Sequence, residues 1–495
     1  MRSERWSYDD ERAEVLTEDG AGPILEYSNG KIKTYDGEGH VMFLGVSGAG
    51  KSRRGTIPMT LSFIKNKESG IIVDPKGEIY KNTKDYITRD YDLHVIDFRN
   101  PYGDDAEGWN PLHAPYVLWK TKKPENINLA ETMIEELAYA LYPVKDLKDP
   151  YWNESGKSVF LAGVHMLFEI AEEDQVNLAN VRRVIMDGDK TESGYRSGGR
   201  KTETFLHKFI STRKDLPDIA EKLDCFLENA ETTSACIRSS FISGIASLTR
   251  GESVSNFLSR DDFCINEIRG DKPMLVYIII PDETPIYDSV AGIMVSQLMN
   301  NYIRLAENEF GGKLPIRVNV VLEELGNVGR SINNLPHLLS AGRSRNIRVE
   351  LVLQALSQLD EIYGQANSVT IISNCDVKVA FRVSHWDSLE VFSNLCGKKE
   401  VMRQGYATHE QLISEAQLAA METGQALVMI SGRVKYITWL PDYTEMNILK
   451  PIKMPKKVSR KRRDTQISYF DIVKYLKEYE ERNRLQRCME MIEEN

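Results

Sequence analysis

Eight consecutive residues, Gly45-Val46-Ser47-Gly48-Ala49-Gly50-Lys51-Ser52, fit the pattern G-x-x-x-x-G-K-[ST]. Glycines at this spacing let backbone N–H groups close around phosphate oxygens, which makes Gly45, Ser47, Gly48, Ala49 and Gly50 the expected cradle. A helix that follows the loop turns its positive N-terminal end to the same anion. Lys51 is then placed to neutralise the β- and γ-phosphates and the Ser52 hydroxyl to ligate Mg²⁺, so ATP and Mg²⁺ are the expected ligands. The context agrees, since the motif follows an apolar run, VMFLGV, and precedes a helix-compatible stretch.

Such a loop requires an acidic group at the end of a neighbouring strand. Val318–Glu324 (VNVVLEE) supplies two. Side chains alternate along a strand, so adjacent carboxylates point apart; Glu323 is assigned to the metal and Glu324 to polarising the attacking water. Val349–Gln354 is a second apolar run with a polar end, where Gln354 could sense the γ-phosphate. Arg343 and Arg345 precede it in AGRSRNIR; on the residues alone they read as partners of a helix end rather than as stabilisers of transition-state charge.

These residues need a scaffold, and the apolar pattern provides one. Residues 41–46 and 71–75 are short apolar runs flanking a helix-compatible stretch, the sign of a βαβ unit with buried parallel strands. His94–Phe98 follows, and the pattern breaks at the turn-rich NPYGDDAEGWNPL. From Leu129 onward the apolar residues recur at helical spacing. Strand-like runs return at Met274–Ile280, Arg317–Glu323, Val349–Gln354, Val377–Val383 and Leu427–Ile430. The expected fold is therefore α/β, one mostly parallel sheet with helices on both faces, carrying an inserted all-α domain.

The expected boundaries are an N-terminal extension 1–40, a nucleotide-binding domain in two parts at 41–114 and 271–445, the insertion at 115–270, and a tail at 446–495. Within the insertion, the polar stretch near 186–204 reads as a mobile surface loop. The basic run Lys453–Arg463 reads as a solvated linker, with phosphate or anionic-lipid contact as the alternative, leading to a charged helical segment.

Composition sets the outer limits. With 495 residues, 41% hydrophobic and 27% charged, the chain is globular, and disordered, collagen-like and disulfide-scaffold classes are excluded. A net charge of −10 argues against nucleic-acid binding by the bulk surface, so such contact has to be local. Its six cysteines show no C-x-x-C spacing and suggest neither zinc nor disulfides. No apolar run approaches the roughly 20 residues of a spanning helix, and no signal peptide is visible, so a cytoplasmic location is expected.

In combination, the P-loop, IIVDPKGEIY (71–80), VIDF…GWNPL (95–112), VVLEELGNVG (320–329), AGRSRNI (341–347), LVLQALSQLDEIYG (351–364) and SNCDVKVAF (373–381) resemble the TraG/TraD-type coupling proteins of type IV secretion and conjugation. These belong to the FtsK/HerA group of RecA-like motor ATPases. The resemblance covers most of residues 40–440. It implies a RecA-like P-loop NTPase domain with an inserted all-α domain, working as a homo-hexameric ring that moves DNA through its pore at the expense of ATP. It also implies a relaxase or relaxosome substrate, and a type IV secretion channel with membrane proteins as partners. By the same resemblance Lys51 and Ser52 are the phosphate and magnesium residues, Glu323 and Glu324 the Walker B pair, Gln354 the sensor, and Arg343 a finger reaching the neighbouring subunit's ATP.

Two departures stand out. Asp-Glu is usual at Walker B, so Glu323 is one methylene longer, which implies a water-mediated metal contact or slow turnover. Members commonly begin with membrane-spanning helices and none is visible here, which implies recruitment to the inner face of the membrane by a separate partner. Two other readings stay open: an FtsK/HerA-type translocase without a secretion role, and a non-catalytic nucleotide-binding docking protein.

Overall fold

The computed structural model describes residues 4–143, 150–192, 194–195, 203–249, 251–281, 283, 286–332, 334–403, 406–452 and 467–493. The basic run 453–463 and part of the polar stretch near 186–204 lie outside the described residues. The chain divides into two compact units, one of residues 1–106 and 267–460 and one of residues 107–266 and 461–495.

The first unit is built on a nine-stranded sheet. In chain order its strands are β1 His40–Leu44, β2 Ser69–Asp74, β3 Asp92–Asp97, β4 Met274–Ile279, β5 Val318–Leu322, β6 Ile347–Leu353, β7 Cys375–Ala380, β8 Gln425–Ile430 and β9 Val434–Trp439. In space they run β9-β8-β7-β1-β6-β5-β2-β4-β3. Neighbours from β7 to β3 are parallel, whereas β8 and β9 form an antiparallel edge. That edge departs from simple alternation, and β9 has no counterpart among the expected strands. Its Val434, Tyr436 and Thr438 alternate with Lys435, Ile437 and Trp439, the pattern of a half-buried ribbon rather than of a buried parallel run.

Every residue of β1, β2, β4, β5 and β6 is buried, as parallel strands covered on both faces must be. The register is held at one end by a polar cluster. Buried Arg348 donates to Asn319 Oδ1 at 2.9 Å and to Glu68 Oε2 at 3.1 Å, tying β6 to β5 and to the turn before β2. At the other end, Leu322 lies level with Leu351 and Val73, and Leu353 with Leu44. Glu323, Asp74, Gln354 and Gly45 therefore all emerge at the carboxyl edge of the sheet.

Residues 4–40 are part of this unit. They form a short helix, Asp9–Ala13, and a three-stranded sheet, and Leu16, Ile24, Leu25 and Ile32 share one buried cluster with Val41 and Phe43.

The second unit is helical and centres on Tyr151–Ile170, buried along most of its length. Gly163 lets this helix approach Leu178–Gly188 closely: a Cβ there would lie 3.1 Å from Val181. The polar stretch starting at residue 186 is not all loop. Helix continues to Gly188, and Lys190–Thr191 pairs with Gly194–Tyr195 as a small ribbon, so the unit is not purely α. The C-terminal helix Ile472–Glu493 belongs here rather than to a free tail: Phe470, Ile472 and Leu476 are buried, and Tyr475 accepts from Arg213 Nη1 at 2.6 Å. No helix among the described residues is long and apolar enough to cross a membrane.

Candidate nucleotide-binding site

The loop after β1 needs backbone freedom that its glycines supply. Gly48 and Gly50 have φ of 74° and 100°, in the left-handed region. A Cβ on Gly48 would meet nothing within 4 Å, so the loop is open above it, while one on Gly50 would lie 2.8 Å from Arg54. The Gly45 N–H is fixed by Leu353 O at 3.2 Å and the Val46 N–H by Arg382 O at 3.0 Å, so the loop is anchored to β6 and to the end of β7. From Lys51 the chain enters a wide π-type turn, Lys51–Thr56, which runs into the buried helix Ile57–Lys65.

Lys51 is buried, and its Nζ donates to Gly45 O at 2.5 Å and Val46 O at 3.2 Å. Burial lowers its pKa, while the carboxylates of Glu324 and Glu323 oppose that shift. Ser52 Oγ donates to Glu323 Oε1. Glu323 is itself buried, and burial raises its pKa to about 7; the Ser52 hydrogen bond counters the rise and the charges of Asp74, Glu324 and Glu78 add to it.

Glu324 turns away from its neighbour by a different route from the one expected. The strand ends at Leu322, and Glu324 sits at φ 56°, ψ 48°, a left-handed kink that non-glycine residues rarely adopt. The kink, rather than strand alternation, separates the two carboxylates. It sends Glu324 to Gln354, whose Nε2 donates to Glu324 Oε2 at 2.9 Å. Such a conformation costs about 1–3 kcal/mol and persists where the surroundings enforce it.

Two contributors had no role in the sequence analysis. Gln358 Oε1 accepts the N–H groups of Gln354 (2.9 Å) and Ala355 (3.3 Å), fixing the chain just beyond β6. Its spacing of four from Gln354 within LQALSQL is the signal for it. The turn Asp74–Glu78 brings Lys76 and Glu78 to the same cavity, of about 210 Å³, as Ser47, Gly48, Gly50, Lys51, Ser52, Glu323 and Glu324.

Arg343 is not brought to this cavity. It lies at the end of the helix Leu335–Ser344, before β6, and Gln354 follows the other end of that strand. Seven residues of strand at roughly 3.3 Å each put them about 20 Å apart. The half-exposed Arg343 guanidinium pairs with Asp376 Oδ2 at 2.9 Å, and Arg345 pairs with Glu307.

The residues fit the expected ligands. Two glycines in left-handed conformation and a buried ammonium line one cavity, as a phosphate site requires, and a hydroxyl beside a carboxylate offers the hard oxygen donors that Mg²⁺ prefers.

The chain resembles known proteins in sequence and in fold. A sequence profile for the family "Type IV secretory system Conjugative DNA transfer" matches residues 8–433. Two proteins of Escherichia coli, each a "Conjugal transfer protein TraG", are 22% identical over 407 residues and 21% identical over 386 residues. These alignments cover 79% and 76% of this chain but 59% and 57% of those proteins, so the chain spans less than two thirds of the length of the curated relatives it matches. Among solved structures, plasmid coupling protein TrwB in complex with a non-hydrolysable ATP analogue aligns with a TM-score of 0.63 at 17% identity, over 93% of this chain and 97% of that one. TrwB with ADP and Mg²⁺ aligns with a TM-score of 0.63 at 17% identity, over 89% and 94%. The fold is thus TrwB-like: a RecA-like α/β NTPase sheet with a helical unit.

Proposed function

We propose, from the premise that this chain belongs to the type IV secretory system conjugative DNA transfer family, that it is a coupling ATPase delivering a DNA–protein substrate to a type IV secretion channel. The observation that carries the ATPase reading is the contact between Ser52 and Glu323, which joins the P-loop to the acidic end of β5. The conjugal transfer role named for the TraG relatives, and the ATP analogue, ADP and Mg²⁺ bound by TrwB, support the same reading.

In this reading the loop Gly45–Gly50 holds the β- and γ-phosphates by its N–H groups, and Lys51 neutralises them. Ser52 and Glu323 would hold Mg²⁺, which would spread the charge that develops on the phosphate oxygens. Glu324 orients the attacking water and takes its proton. Gln354, fixed from behind by Gln358, holds the Glu324 carboxylate in place. The longer side chain of Glu323 reaches the Ser52 hydroxyl directly, so it can hold the ion beside that hydroxyl.

Arg343, remote from its own cavity and half-exposed, acts on the site of a neighbouring copy in a homo-hexameric ring. DNA passes through the ring, a relaxase or relaxosome is the cargo, and membrane proteins of the channel recruit the assembly to the inner face of the membrane. The helical unit is an insertion between the two parts of the nucleotide-binding unit. Hydrolysis of ATP by the purified chain with Mg²⁺, with and without DNA, tests the reading; nucleotide binding with no turnover under any of these conditions overturns it in favour of a docking protein.

A further inference from the structure

The residue roles above leave the DPKGE turn, residues 74–78, without a part in the chemistry. Asp74 ends β2 with a fully buried carboxylate, and the chain folds back around it. Oδ2 accepts the Tyr80 N–H at 2.8 Å, and the backbone carbonyl of Asp74 accepts the Gly77 N–H at 3.3 Å. Its Oδ1 has no hydrogen-bond partner among the described residues. Gly77 takes φ 70°, which closes the turn and starts the helix Glu78–Thr83. A buried residue that holds the Gly77 and Tyr80 N–H groups, one by its carbonyl and one by its carboxylate, fixes the direction of the residues between them.

Those residues reach the nucleotide cavity from a second direction. In the sheet order β1-β6-β5-β2, the DPKGE strand lies three places from the P-loop strand, about 14 Å at ordinary strand spacing. Lys76 and Glu78 nonetheless line the same cavity as Ser47, Gly48, Lys51 and Glu323. Lys76 is exposed, makes no ion pair among the described residues, and stands close enough to Lys51 to lower the latter's pKa. Two ammonium groups converging on one cavity from walls about three strands apart are costly to each other and suited to a ligand of high negative charge.

We infer that Lys76 binds the polyphosphate of the nucleotide from the wall away from the P-loop, and that Asp74 holds the turn presenting it. The inference rests on the reading of this cavity as a nucleotide site. It adds a second cationic contact, from outside the Walker elements, to the phosphate chain.

Equilibrium binding of a fluorescent ATP analogue to the full chain, with Mg²⁺, tests it in the wild type and in Lys51→Ala, Lys76→Ala, Lys76→Arg and Asp74→Asn. Thermal unfolding of each variant is followed in parallel. Loss of one charge-assisted contact should raise Kd in Lys76→Ala roughly tenfold or more, with Tm unchanged, while Lys76→Arg stays within about threefold of wild type. The effects of Asp74→Asn and Lys76→Ala should fall short of additive in the double variant, because both act through one contact. If Lys76→Ala binds like wild type while Lys51→Ala loses affinity, the role of Lys76 is overturned and the nucleotide reading stands. Equal defects in Lys76→Ala and Lys76→Arg, or a defect that follows a fall in Tm, also overturn it. If the wild type binds no nucleotide, the nucleotide reading and this inference fall together.

Discussion

The hydroxyl of Ser52 donates to Oε1 of Glu323, joining residues 271 positions apart across the carboxyl edge of the sheet. Only one strand, β6, separates β1 from β5, so the first turn after the P-loop and the acidic end of β5 are held within reach of each other. Replacing Ser52 by Ala should leave the fold intact and raise the Mg²⁺ concentration needed for half-maximal hydrolysis roughly tenfold or more, since the proposed metal ligand is lost while the proposed phosphate cradle remains. Titrating activity against Mg²⁺ checks this. An unchanged Mg²⁺ requirement would place the metal elsewhere.

Gln354 and Glu324 form the second pair, at 2.9 Å. Gln354→Ala frees the carboxylate without touching the proposed phosphate loop. The expected result is a kcat reduced roughly 10- to 100-fold, with nucleotide Kd within about twofold of wild type. Steady-state kinetics beside direct binding separates the two quantities.

Gly326 is constrained by the residue that supports this pair. A Cβ there would lie 2.3 Å from Gln358 Nε2, so Gly326→Ala has to push the Gln358 side chain off the N–H groups of Gln354 and Ala355. The expected loss is about 1–2 kcal/mol of stability, that of two weakened hydrogen bonds, together with a lower kcat. Adding Gln358→Ala to Gly326→Ala should cost little more, which denaturant unfolding of the single and double variants would show.

Much of this site was legible in the amino-acid order. Glycines at fixed spacing after an apolar run, and paired acids after another, carry their own local geometry, so residue types alone bring Lys51, Ser52, Glu323 and Glu324 to one cavity, as the structure does. Strand order was not legible, because it depends on which buried runs pair. The small N-terminal sheet was missed because its strands are short: Ile24–Ser28 and Lys31–Thr34 contain too few apolar positions to show a period. Docking of the C-terminal helix was hidden in Phe470, Ile472 and Leu476, three apolar residues at the start of a charged stretch. The left-handed kink at Glu324 has no sequence signal, since glycine is the residue that usually announces it.

Glu350 was concealed inside the apolar run VELVL of β6. It is fully buried, receives the Thr56 hydroxyl at 2.7 Å, and has its other oxygen without a partner among the described residues. Burial raises its pKa to about 8, with the Thr56 hydrogen bond and Arg348 opposing and Glu323 adding to the rise. The folded state thus holds this proton more tightly than the unfolded state. The contribution to stability is full below about pH 4.5, the ordinary glutamate value, and is lost as pH rises through about 8. Glu350→Gln, which keeps an acceptor for Thr56 and carries no charge, should flatten the fall in stability between pH 5 and 9 by on the order of a few kcal/mol. Urea unfolding across that range tests it; parallel curves for wild type and variant would show that Glu350 does not titrate there.

Arg343 and Asp376 pair at 2.9 Å on a partly exposed surface, so breaking the pair should change stability by less than about 1 kcal/mol. If Arg343 serves a neighbouring copy, Arg343→Ala and Lys51→Ala should each be inactive alone and partly active when mixed. Each interface between an intact Lys51 and an intact Arg343 then restores one site. Hydrolysis by the mixture, compared with either variant at the same total concentration, gives the answer, and no recovery would remove Arg343 from the reaction.

The most direct test of the ATPase motor is hydrolysis of ATP by the purified full chain with Mg²⁺, alone and with single- or double-stranded DNA, beside Lys51→Ala and Glu324→Gln. The expected result is turnover that DNA stimulates, abolished in both variants, with nucleotide binding lost in Lys51→Ala and retained in Glu324→Gln. Turnover that survives in Glu324→Gln, or nucleotide binding without turnover in the wild type whether or not DNA is present, would contradict it.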